Sequence, residues 1–82
     1  MQVPLSNGGH SARVRMRLHV SGASFPISQM GPDFLLVEAP CEHPPGRGRI
    51  ELQVDDSHRT WEVDLPEGVK ADREEVPVRA VA

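Results

Sequence analysis

The chain has 82 residues, 12 acidic against 9 basic side chains for a formal net charge of -3, and one cysteine. That length makes one small domain, a single cysteine excludes an internal disulfide, and the acidic balance argues against nucleic acid as the main partner. No apolar run approaches the roughly 20 residues needed to span a bilayer, and Met1-Gln2-Val3-Pro4-Leu5 has neither the basic nor the apolar part of a secretory leader. A cytoplasmic protein with no membrane partner is expected.

Residues 1–11 hold Pro4, Ser6, Asn7, Gly8, Gly9 and Ser11. This composition cannot drive burial, so a flexible leader is expected, followed by one β domain over residues 12–82. Order begins where Val14, Met16, Leu18 and Val20 alternate with Arg13, Arg15, Arg17 and His19. Side chains on a strand point to opposite faces with a period of two, so this stretch is a strand with one apolar and one cationic face. Ser21-Gly22 is a tight turn. A second strand follows, with Phe25 and Ile27 in phase and Pro26 between them. Proline gives no backbone donor, which restricts this strand to an edge, a bulge, or a position where the missing hydrogen faces solvent.

Met30-Gly31-Pro32-Asp33 breaks the chain again. Phe34-Leu35-Leu36-Val37 is apolar without interruption, as in a strand covered on both faces. So small a domain has little to cover a second face with. A dimer contact through Leu35 and Val37, or coverage by a terminal segment, is therefore expected. Residues 40–46 form a loop by their three prolines and Gly46. Residues 47–65 are a β-hairpin: Ile50, Leu52 and Val54 alternate with Arg49, Glu51 and Gln53, and Trp61, Val63 and Leu65 alternate with Thr60, Glu62 and Asp64. The polar break at residues 55–59 is turn chemistry. Trp61 is expected as the largest single contributor to the core. After the turn at Leu65-Pro66-Glu67-Gly68, residues 69–75 offer one short helical turn at most. Residues 76–81 add a last edge strand, with Pro77 barring it from a sheet centre.

These patterns predict an all-β fold of five or six short antiparallel strands, curled into a small barrel or open sheet, because curling disposes of exposed edges. The expected core is Val14, Met16, Leu18, Val20, Phe25, Ile27, Phe34, Leu36, Ile50, Leu52, Val54, Trp61, Val63 and Leu65. No spacing assembles a nucleophile with its base, so no enzyme and no cofactor are expected. Cys41 and His43 form a single irregular pair, short of the four ligands of structural zinc, so no metal is expected either.

Arg13, Arg15 and Arg17 on one strand face stand about 6.5–7 Å apart, and guanidinium groups suit phosphate oxygens and stack on bases. The spacing Arg13-x-x-x-Arg17, followed by Ser28-x-x-Gly31, resembles the signature of PilZ domains, small antiparallel β-barrels of which many bind cyclic diguanylate. The similarity runs over residues 13–65. The resemblance implies that Arg13, Arg17, Ser28 and Gly31 are the ligand contacts, with Arg15 in the same stripe. Pro26 stands where that family carries Asp or Asn, and residues 17–26 are fewer than the family has there. The expected function is therefore a non-catalytic interaction or regulatory domain, a homodimer or the binder of a protein partner, without the nucleotide. The alternative is a cyclic-dinucleotide binding module.

Overall fold

The structure, a computed structural model, describes residues 13–81. The expected leader, residues 1–11, lies outside them. Seven strands form: β1 (Val14–Val20), β2 (Ala23–Met30), β3 (Phe34–Val37), β4 (Gly46–Val54), β5 (Ser57–Leu65), β6 (Glu75–Pro77) and β7 (Arg79–Ala80). All pairings are antiparallel, in the order β6-β3-β2-β1-β4-β5-β7. The all-β expectation holds, with seven strands in place of five or six. The single last strand is two short ones, and residues 69–75 hold no helix but one turn, in which Arg73 N–H donates to the Lys70 carbonyl at 3.2 Å. Val69 instead makes an isolated bridge to His43.

Two two-residue turns set the registers. Ser21 (φ 45°) and Gly22 (φ 84°) close β1 onto β2. Two left-handed residues in a row match the twist of the flanking strands. Asp55 (φ 51°) opens the β4–β5 turn, so Val54 faces Ser57 and the pairing runs unbroken to Gly46↔Leu65. The polar break expected over residues 55–59 thus shrinks to Asp55 and Asp56; Ser57, His58 and Arg59 are strand.

The sheet curls into a nearly closed barrel, and Pro26 marks one corner. It faces Arg17, the last residue of the β1–β2 ladder, and immediately beyond it β2 bulges between Ile27 and Gln29. Alternation from the Ser21-Gly22 turn directs the backbone of Pro26 away from β1. Its carbonyl accepts from Glu38 N–H at 2.9 Å, just past the end of β3, where the missing donor breaks no ladder. The two ends of the sheet, β6 and β7, are separated in sequence only by Val78, whose N–H donates to the Asp33 carbonyl at 3.0 Å. The chain itself closes the barrel there.

The core is Leu18, Val20, Phe25, Ile27, Leu35, Val37, Ile50, Val63, Leu65, Val69 and Val76. Three expectations fail. Leu35 and Val37 are fully buried inside the barrel, so they are no dimer contact; Phe34 and Leu36 take the opposite face and are half-buried. Trp61 is not the centre of the core: 37% of it is exposed. Val14 is 57% exposed, and Met16, Leu52 and Val54 are only half-buried.

The last group shares a cause. The β1–β2 ladder ends at Arg17, and β7 touches β5 only at Val63 and Asp64. Residues 13–16, 51–54 and 57–62 therefore extend past the barrel as a three-stranded wing, with no strand paired over it among the described residues. The described molecule is elongated accordingly, 45 × 27 × 22 Å.

Candidate functional site

The wing has two chemically different faces. Because Leu18 and Val20 point inward, Arg15, Arg17 and His19 point out, and the registers Arg17↔Glu51 and Glu51↔Thr60 bring the polar positions of β4 and β5 alongside. At the middle of this face Glu51 accepts from two imidazoles. His19 Nε2 donates to its Oε1 at 2.8 Å and His58 Nε2 donates to its Oε2 at 2.7 Å. One carboxylate so ties β1, β4 and β5 together. The hydrogen bond from His19, then that from His58, holds the Glu51 carboxyl below its ordinary range.

Nearer the barrel, Arg47 forks across β5, with Nε to Asp64 Oδ1 at 3.0 Å and Nη1 to Glu62 Oε1 at 3.2 Å. The bond to Asp64, followed by that to Glu62, raises the guanidinium's pKa further above its already high value. Exposed pairs of this kind add little stability each. What they fix is register and the sign of charge at each position along the strands.

The other face of the wing is apolar. Val14, Met16, Leu52, Val54 and Trp61 continue the inward-pointing rows of β1, β4 and β5 beyond the point where β2 and β3 cover them. Arg59, exposed, stands beside Trp61 on the same face, one register step further out. Of these, Val14 and Trp61 are exposed, Leu52 and Val54 are half-buried, and Met16 packs against the core.

The residues singled out for an anionic ligand fall on β1, or directly before it, and on the bulge and turn that follow the β1–β2 ladder. Arg15 and Arg17 share the outer face of β1, and no ion pair to either occurs among the described residues. Arg13 is held by its backbone: its N–H donates to Asp55 Oδ1 at 3.0 Å and its carbonyl accepts from Asp55 N–H at 2.9 Å. A shallow cleft of about 690 Å³ beside Arg13 and Arg15 is lined also by Asp55 and Asp56, which oppose an anion. Ser28 is the extra residue of the β2 bulge, beyond the point where β2 leaves β1, and its hydroxyl donates to the Leu36 carbonyl at 3.2 Å. Gly31 donates its N–H to the Phe34 carbonyl at 2.9 Å, and the Phe34 ring occupies the space a side chain would need there. Ser28 and Gly31 thus serve the β2–β3 turn.

The His19–Glu51–His58 cluster went unread in the sequence, although each of the three falls on a polar phase of its strand; the register alone brings them together. Among the described residues, no group of three or more His, Cys, Asp or Glu side chains is disposed to hold a metal ion, and no helix is long and apolar enough to cross a membrane. Comparison with known proteins gives no match to a family model, a curated protein or a solved structure.

Proposed function

We propose that this domain is a non-catalytic interaction module that works as a homodimer, joined through the wing. The observation that carries the reading is the apolar face of the wing, continuous with the core, on which Val14 and Trp61 are exposed and Met16, Leu52 and Val54 half-buried among the described residues. A chain this small buries a modest share of its surface, and association is the general way such domains gain further burial. The antiparallel, nearly closed sheet is of the type the PilZ resemblance implies, and Pro26 together with the use of the Ser28 hydroxyl in a bond to the Leu36 carbonyl favours a form without the nucleotide.

Light scattering at micromolar concentration tests the reading. The expected molar mass is twice the 9.0 kDa of one chain, falling to that of one chain when Trp61 is replaced by Glu. A monomer at every concentration rejects it.

A second reading, cyclic diguanylate binding, rests on Arg15 and Arg17, which have no ion-pair partner among the described residues. Calorimetric titration decides it: absence of heat with a folded protein at about 100 μM excludes binding of useful affinity.

A further inference from the structure

The free edge of β5 specifies how two copies meet. This inference rests on the homodimer reading and goes beyond it by fixing the strand, the orientation and the register.

β5 is paired on one side with β4 along its whole length, but on the other side with β7 only at Val63 and Asp64. Among the described residues, no strand pairs with the outer edge of residues 57–62, and such an edge templates the addition of another strand. The backbone direction at each position follows from one bond. Asp55 N–H donates to the Arg13 carbonyl of the β1 side, so odd-numbered residues of β4 turn their backbone groups toward β1 and even-numbered ones toward β5. Leu52 and Ile50 therefore exchange hydrogen bonds with Arg59 and Trp61. His58, Thr60 and Glu62 are left with their N–H and C=O groups aimed at the open edge.

We infer that β5 pairs antiparallel with β5 of a second copy about a two-fold axis at Thr60. In this register Thr60 faces Thr60, His58 faces Glu62 of the second copy, and Arg59 faces its Trp61. Symmetry repeats the last two pairs in reverse. Each outward-directed residue then meets another outward-directed residue, and each pair exchanges two backbone hydrogen bonds. On the polar face His58, whose Nε2 donates to Glu51, stands opposite Glu62, which accepts from Arg47, so no two like charges meet. On the apolar face a guanidinium lies across the strand from an indole at a non-hydrogen-bonded position, where side chains approach most closely and a cation–π contact forms.

The neighbouring registers are worse. Moving the axis to Arg59 sets Arg59 against Arg59 and Glu62 against Asp56. Moving it to Trp61 calls on the edges of Val63 and Asp64, which β7 already holds. A shift by half a step puts apolar positions opposite polar ones. The Thr60 register also joins the two wings into one sheet, in which Trp61 and Arg59 of the two copies cover one another beside the axis while Leu52, Met16 and Val14 keep their exposure on the common face.

The test begins with Thr60→Pro. The Thr60 N–H points away from β4, so the substitution removes no bond within one chain but blocks the ladder between chains. Light scattering should show a monomer, with the far-ultraviolet spectrum of the parent. A dimer that persists in folded Thr60→Pro overturns the edge while leaving the homodimer reading intact; a parent chain that is monomeric overturns both.

The register is read separately, in a Cys41→Ser background, by mixing Arg59→Cys chains with Trp61→Cys chains under mild oxidation. The expected result is a covalent dimer in the mixture and at least tenfold less in either variant alone, since the facing Cα atoms lie about 4.5 Å apart, within reach of a disulfide. Cross-linking of one variant with itself, or no cross-link in the mixture, overturns the register. This measurement also decides the question if Thr60→Pro does not fold.

Discussion

The same three strands behave differently at their two ends. At the barrel end, Leu18, Ile50 and Val63 are buried under β2 and β3 and rank among the most enclosed side chains in the molecule. A few residues further along the same strands and in the same phase, Val14, Leu52 and Trp61 are partly or largely exposed. Alternation decides which face a side chain joins. Whether that face is covered depends on where a neighbouring strand stops, here on the bulge after Pro26 and the shortness of β7.

Mutations that separate the two ends sharpen this contrast. Leu18→Ala at the barrel end should lower stability by about 2–5 kcal/mol, a large part of what a domain of this size has, read as a shift in the urea midpoint. Leu52→Ala in the wing, where the side chain is half-covered, should cost roughly 1–2 kcal/mol in the same assay on dilute protein. Equal losses at both positions would mean that the wing is covered after all.

Acid should loosen the wing before the barrel. Glu51 is held below its ordinary pKa of 4.5 by His19 and His58, so its contribution is complete above that value and disappears as the pH falls through the depressed one. Below pH 4.5 the midpoint temperature of the parent should fall, and in Glu51→Gln that part of the decline should be shallower. Superimposable profiles would show that the hydrogen bonds from the imidazoles do not contribute. The smallest change is expected for Val14→Thr, within about 0.5 kcal/mol, because the side chain is already mostly in water.

How far the sequence could be read follows from the same distinction. Where polar and apolar residues alternate, the facing was legible: Leu18, Val20, Phe25, Ile27, Ile50, Val63 and Leu65 are all buried as expected. In Phe34-Leu35-Leu36-Val37 nothing polar marks the phase, and the buried pair is Leu35 and Val37, not Phe34 and Leu36. Glu38, exposed and in step with Phe34 and Leu36, carried the missing information. Val69 and Val76 sit alone among charged and proline residues, so no period announced their burial; they are enclosed because Val69 pairs with His43 and Val76 with Leu35. Trp61 lies on the face its alternation with Thr60 and Glu62 dictates, but local pattern says nothing of where the second layer ends. The His19–Glu51–His58 cluster joins residues 32 and 7 positions apart, which only the register reveals.

Val78 makes a single link between strands that lie on opposite rims of the sheet. The rims are consequently not independent. Tension that lifts Val76 from Leu35 is passed through Pro77 and Val78 to Arg79 beside Asp64. That short clasp lies next to the edge through which a second copy would attach. A strand arriving there competes with any lengthening of β7 for the same backbone groups, and the shortness of the clasp is what leaves them vacant.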